Sequence, residues 1–384
     1  MISSSAPQSR RCCARQPDSD LRPVFIAGLL AALALPVAAS AAAWDLVATG
    51  LNNPRGLDFA PNGALYVAEA GTGGDGPAAE GPDGPVYFGL SGSITRIFKG
   101  KQGRVVEGLP STAGEGGFGA IGPSDISFEP FGRARVTIGL GLNPAVRDSV
   151  FGPAGAKLGG LFQLSQNGKL KWLADLAAFE ASANPDQGLP DSNPNGVLST
   201  RAGGAYVADA GANTLLHVTA NGAVSVVAVF PSRVVDTPPF LPQPPFPAQL
   251  IMQAVPTNVV RGPDGALYVS QLTGFPFPPG EARIYRVVPG SAPQVYAEGF
   301  TNIIDLEFDG AGNLYVLEID ANSLANPAVG GRLARINAAD GSVETIADDG
   351  LIMPGGLSIG PDGAIYVTNF GTSPGGGQVV RIEP

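Results

Sequence analysis

Thiols and imidazoles are almost missing from this chain. Its 384 residues include two cysteines, adjacent at Cys12 and Cys13, and a single histidine, His217. Beyond residue 13 there is therefore no disulfide framework, no cysteine-ligated metal and no cysteine nucleophile. One imidazole cannot make a multi-histidine zinc centre. It lies between Leu216 and Val218 in a strand-like segment, so a serine–histidine–aspartate system has no candidate base either. Acid–base chemistry would fall to carboxylates, with or without a metal-bound water. Charge is scarce as well: 15% of residues are charged, and 23 basic against 33 acidic side chains leave a net charge of −10. That balance excludes nucleic acid and anionic membrane surfaces as partners and favours cations or neutral ligands.

Long apolar runs are also absent but for one. Residues 24–39 are apolar, follow Arg10, Arg11, Arg15 and Arg22, and lead into small residues before Trp44. A basic segment, a short apolar core and a small-residue end predict a secretory signal over 1–43, too short for a transmembrane span. The expected mature protein, 44–384, is exported to the periplasm or the medium, loses both cysteines and has no stable membrane insertion. The basic segment is long and holds Asp18 and Asp20, which places the true start downstream of Met1. Arg10-Arg11 stands too far from the apolar run for a twin-arginine signal, and no cysteine follows that run to carry a lipid.

What is abundant is punctuation: 54 glycines and 36 prolines beside 44% hydrophobic residues. This is too many breakers for long helices and too much apolar content for disorder. The breakers recur in a phrase. Pro263-Asp264-Gly265-Ala266-Leu267-Tyr268-Val269 is repeated at 61–67 and 361–367, with shorter copies at 312–316 and 203–207. Asp-Gly or Asn-Gly supplies a tight hairpin turn, and Leu-Tyr-Val a buried strand. Each copy reads as strand A, turn, strand B, and two further strand-like segments follow it. Six such units are predicted, with strands A beginning near 56, 124, 195, 257, 303 and 356. The sixth unit lacks its fourth strand. Residues 44–50 resemble the fourth strand of the fourth unit, 294–300. The expected fold is an all-β, six-bladed β-propeller of four-stranded blades, one domain over 44–384, its ring closed by 44–50 joining the C-terminal blade. Inserts at 71–90, 143–158, 177–193 and 231–249 fall on one face, where repeat proteins often bind.

Several runs resemble the ScyD/ScyE family. They include Asn53-Pro54-Arg55-Gly56-Leu57, Tyr66-Val67-Ala68-Glu69-Ala70-Gly71, Gly122-Pro123-Ser124-Asp125-Ile126, Val207-Ala208-Asp209-Ala210-Gly211 and Leu272-Thr273-Gly274-Phe275-Pro276-Phe277-Pro278. The likeness covers essentially all of 44–384 and implies an exported propeller-like protein. It does not imply the pigment pathway of the family's namesakes. A more distant likeness is to NHL and gluconolactonase-type propellers, which hold a divalent metal on the axis with Glu, Asn, Asn and Asp. Carried over, the metal set would be Glu69, Asn195, Asn258 and Asp305.

Position in the repeat points the same way. Arg55, Asp125, Asn195, Asn258 and Asp305 stand at the start of strands A, and Glu69, Asp209, Gln271, Glu318 and Asn369 at the end of strands B. Hairpin geometry brings both sets to one end of the blades. A ring of oxygens there suits calcium, which takes six to eight oxygen ligands. Arg55, Asp125, Gln271 and Asn369 are the expected ligand contacts, and Asp209, Asp305 and Glu318 the candidate catalytic bases. Three readings stay open: a monomer binding a small molecule or partner with a divalent cation, a metal-dependent hydrolase or lactonase, and an interaction scaffold whose Asp and Asn only cap strand ends.

Two motifs are weaker. Gly71-Thr72-Gly73-Gly74-Asp75-Gly76 matches the dinucleotide fingerprint, but Pro77, Pro82 and Pro85 forbid the helix it needs, so a flexible or cation-binding loop is expected. The segments 240–246 and 275–279, rich in Phe and Pro, would either line an apolar mouth or cover a blade rim.

Overall fold

A computed structural model describes residues 44–384 except 83, 166, 328 and 329; the predicted signal lies outside the described residues. Each blade starts from its turn. In blade four Gly262 N–H donates to Ala266 O at 2.9 Å and Gly265 N–H to Gly262 O at 2.9 Å, with Gly265 at φ 81°, a conformation only glycine adopts without strain. The turn sets the register Val259↔Val269 and Arg261↔Leu267, which buries Val259, Leu267 and Val269.

Six antiparallel blade sheets follow, five of four strands and, in blade one, a four-stranded blade extended by a fifth strand. Their innermost strands are Pro54–Phe59, Pro123–Phe128, Pro194–Ser199, Pro256–Arg261, Ile303–Phe308 and Gly356–Ile359. Strands B are buried along most of their length, and the outermost strands are largely exposed. The core is a series of layers between neighbouring blades: Ile94 of blade one and Phe162 of blade two share one cluster, Leu317 of blade five and Val367 of blade six another. The strand-B tyrosines belong to these layers. Tyr66 meets Phe128 at 4.9 Å, and Tyr268 and Tyr366 meet Phe308 and Phe59 at 4.9 Å.

Trp44–Leu51 pairs antiparallel with Gly377–Ile382, from Trp44↔Ile382 to Leu51↔Gly377, and supplies the fourth strand of blade six. Deleting 44–51 would bare that edge. The truncated chain is expected to self-associate, seen as higher-order species in light scattering.

The inserts carry structure of their own. Residues 71–90, expected as a loop, instead extend blade one: Ala78–Gly81 pairs with the start of a 15-residue strand, Gly84–Phe98. Its backbone groups are satisfied by continuing the sheet, which a composition-based reading of the glycines misses. Residues 177–193 hold most of a helix, Leu176–Ala183, whose first turn is capped by Asp175 Oδ1 accepting from Ala178 N–H at 2.9 Å. The Pro-rich stretch is flanked by a small hairpin, Arg233–Asp236 with Gln249–Met252. Phe246 and Phe277 pack against Phe275, at 5.6 and 6.3 Å.

Candidate functional site in the central channel

In five blades strand A carries a β-bulge near its start, for example between Pro54 and Leu57 opposite Glu69 and Val67. A bulge re-aims the side chains beside it. The residue at this level is Gly56, Asp125, Gly196, Asn258 or Asp305, the third of its strand A, and in blade six Gly356, the first. Two of the glycines make room for the polar side chain of the next blade. A Cβ on Gly56 would stand 2.0 Å from Asp125 Oδ1, and one on Gly196 2.7 Å from Asn258 Oδ1. Two residues further along come Asp58, Ser127, Leu198, Val260, Glu307 and Ser358. Strand-A residues of all six blades line one cavity of about 270 Å3.

Among the described residues four carboxyl groups, Asp58, Asp125, Asp305 and Glu307, therefore share the channel with a single lining cation, Arg261. Each also ties its blade to the next. Asp58 Oδ2 accepts from Phe128 N–H at 2.6 Å, Asp125 Oδ2 from Val197 N–H at 2.8 Å, Asp305 Oδ2 from Leu357 N–H at 2.7 Å and Glu307 Oε2 from Ile359 N–H at 2.9 Å. The other oxygens of the three aspartates accept from the next residue's own N–H. Burial pushes Asp58 up to about 7 against the pull of those N–H donors. Burial and the Asp58 charge push Glu307 up to about 8. Asp125 and Asp305 are raised well above the usual range by burial, Asp125 next by the charge of Asp305. Near neutrality burial favours the protonated form of these channel carboxyls, reinforced at Asp125, Asp305 and Glu307 by the charge of neighbouring carboxylates.

The sequence-derived candidates separate into two places. Asn258, Asp125 and Asp305 line the cavity. Arg55 lies beside it in strand A, its Nη2 donating to Ala120 O at 2.7 Å, and burial lowers it to about 10. Asn195 is also in strand A, and its carbonyl accepts from Thr137 Oγ1. The strand-B set lies under the connections between blades. Glu69 accepts from Asn52 N–H at 2.7 Å, Asp209 from Asn193 N–H at 2.7 Å, Glu318 from Thr301 N–H at 2.5 Å and Asn369 from Ile352 N–H at 2.7 Å. Glu69, fully buried, also takes Arg104 Nη2 at 2.8 Å and the hydroxyls of Ser93 and Thr95. Burial alone would raise Glu69, but Arg104, Thr95 and Asn52 hold it below the usual carboxylate range. Glu318 pairs with Arg332 yet is raised, because burial outweighs that partner. Asp209 is pushed up to about 6 by burial, offset in part by Asn193 and Ser192. Gln271 departs from the pattern: it is 1% exposed and neither amide atom has a partner among the described residues.

Of the expected metal set, Asn258 and Asp305 line the cavity, whereas Glu69 and Asn195 are not among its lining residues. Among the described residues no three His, Cys, Asp or Glu side chains converge to hold a metal. Asp58 and Glu307 were not among the candidates. The signal for them is parity, since they stand two residues on from the third strand-A position and share its side of the strand.

The fold and channel define a class: a six-bladed β-propeller with an acid-lined axial cavity. No family model matches the chain, and no curated protein matches it in sequence. Solved structures share the fold. A glucose dehydrogenase is 14% identical with a TM-score of 0.53, covering 89% of this chain and 99% of its own. A Bacteroides thetaiotaomicron protein of unknown function is 10% identical with a TM-score of 0.53, covering 89% and 72%. Regucalcin, a calcium-binding protein from Agrobacterium tumefaciens, is 13% identical with a TM-score of 0.51, covering 89% and 93%. Among the described residues no helix is long and apolar enough to cross a membrane.

Proposed function

We propose that this protein is an exported, monomeric binding propeller of the ScyD/ScyE family that takes a small cationic ligand, a divalent cation such as calcium or an organic amine, at its channel. One observation carries the reading: among the described residues, four carboxyl groups from three blades line a cavity of about 270 Å3 with one cation among them. A positive ligand would compensate the carboxylate charge that burial disfavours and offset the repulsion among Asp125, Asp305 and Glu307. Binding is favoured over lactone hydrolysis because Asp209 already accepts from Ser192, Asn193 and Ala212, and Glu318 from Thr301 and Arg332. Asp305 likewise accepts from Leu306 and Leu357 N–H, so none of the three candidate bases has the freedom of one that takes a proton from water. Family and export rest on the motif runs around Asn53, Asp125 and Asp209 and on the composition of 1–43.

The test is calorimetric titration of residues 44–384 with calcium and with putrescine, each in two buffers of different ionisation enthalpy. The expected result is saturable binding by at least one, with proton release that grows as pH falls from 8 to 6. Surface carboxylates, already ionised, would release none. Asp58→Asn with Asp305→Asn should reduce the release, leaving the share of Glu307 and Asp125. No binding at millimolar ligand, or binding without proton release, would leave the scaffold reading.

A further inference from the structure

Four blades carry the same cross-strand pair, a strand-B tyrosine opposite a strand-C arginine: Tyr66↔Arg96, Tyr268↔Arg286, Tyr315↔Arg335 and Tyr366↔Arg381. In three of them the arginine is neutralised within its own blade. Arg286 donates to Asp264 at 2.7 Å and Arg381 to Asp362 at 2.8 Å, both aspartates being the second residue of the A–B turn. In blade five the carboxylate comes instead from strand D, where Arg335 donates to Glu344 at 2.6 Å.

Blade one has lost both carboxylates. Its turn residue is Asn62, and the strand-D residue opposite Arg96 is Gly103. Arg96 consequently has no ion-pair partner among the described residues, and its Nε is buried without an acceptor. A second departure from the repeat faces the same place. The blade-two turn reads Pro130-Phe131-Gly132, with Phe131, 77% exposed, where blades four and six have aspartate. Between these two turns lies a cavity of about 650 Å3 lined by Arg96, Asn62, Tyr66, Phe128 and Phe131. Arg96 also borders a second cavity of about 430 Å3 with Lys99 and Lys101. Among the described residues no carboxylate lines either cavity, in a chain of net charge −10.

We propose that the cleft between blades one and two binds an aromatic carboxylate, its anion held by Arg96 and its rings packed against Tyr66, Phe128 and Phe131. The ligand carboxylate would stand where Asp264, Asp362 or Glu344 stands in the sister blades. A charge-assisted bond from a guanidinium orients the anion, and the aromatic walls bury the ring.

The repeat supplies its own test variants. Asn62 Oδ1 accepts from Ala64 N–H at 3.1 Å, as Asp264 Oδ1 does from Ala266 N–H, so Asn62→Asp keeps the turn. A Cβ at Gly103 meets nothing within 4 Å, so Gly103→Glu has room to imitate Glu344. The purified protein is titrated with 2-naphthoate and with its neutral analogue 2-naphthamide, followed by calorimetry and ligand-observed NMR. Naphthoate is expected to bind saturably and about tenfold or more tighter than the amide, tenfold corresponding to about 1.4 kcal/mol. Asn62→Asp and Gly103→Glu are each expected to weaken naphthoate by about tenfold, and Phe131→Ala to weaken both compounds. Gln294→Glu, which adds the same charge opposite Arg286 in blade four, should leave binding unchanged. The proposal is overturned if acid and amide bind alike, if neither blade-one charge matters, if Gln294→Glu weakens binding equally, or if naphthoate fails to bind at about 10 mM, the edge of measurable affinity.

Discussion

Raising the pH from 6 to 9 is expected to cost the propeller about 2–4 kcal/mol of unfolding free energy, measured by urea denaturation across that range. The channel carboxyls set the sign. Asp58 and Glu307 hold their protons up to about 7 and about 8 in the folded state, against about 4 in an unfolded chain. Between those values the native state binds more protons, so stability declines as pH rises through the window and levels off above it. Asp58→Asn with Glu307→Gln should flatten much of this slope, since an amide oxygen still accepts from Phe128 or Ile359 N–H without adding charge. An unchanged slope in the double variant would place the titration elsewhere, for instance at Glu180, which burial raises to about 7. A bound cation would reverse part of the effect, stabilising the protein more at pH 8 than at pH 6.

The second large effect is expected at the end of strand B in blade one. Arg104→Met should cost about 3–5 kcal/mol at neutral pH, because it leaves Glu69, fully buried, with only neutral donors. Deprived of its partner, Glu69 would take up a proton, so the loss should shrink as pH falls toward 5. Pairing Arg104→Met with Glu69→Gln should restore most of the stability, since Thr95, Ser93 and Asn52 can still bond a neutral amide. Urea midpoints of the two single variants and the double variant give this coupling directly. A small loss for Arg104→Met, independent of pH, would mean that Glu69 does not depend on the arginine for its charge.

Glu69 also shows where a linear reading reaches its end. Its position at the close of strand B is legible from the repeat, as are those of Asp209, Glu318 and Asn369. Which neighbour each meets is not: the partners Asn52, Asn193, Thr301 and Ile352 lie 16 or 17 residues away in the connections between blades. The same holds for Asp58, an ordinary strand residue in the sequence and a channel carboxyl in the structure. Its neighbours Asp125 and Asp305 come from other blades, and only ring closure sets them around one cavity. Arg96 is the clearest case. Asn62 for aspartate and Gly103 for glutamate are visible in the text, but they mean an unpaired cation only once Tyr66↔Arg96 and Arg96↔Gly103 are in register.

By itself, then, the sequence determined the blades. Local turn chemistry, strand alternation and a repeated phrase specify each hairpin, and the missing fourth strand of the last unit names its own replacement at the N-terminus. These are short-range preferences that every copy states independently. The tertiary structure decided what the polar residues do. Burial, proton affinity and ion pairing depend on which blades lie side by side, through contacts spanning 52 to 72 residues such as Asp305 with Leu357 and Asp125 with Val197. A carboxylate in strand A is a solvated charge, an inter-blade tie or a ligand contact according to its neighbours across the ring, and those neighbours exist only after the ring has closed.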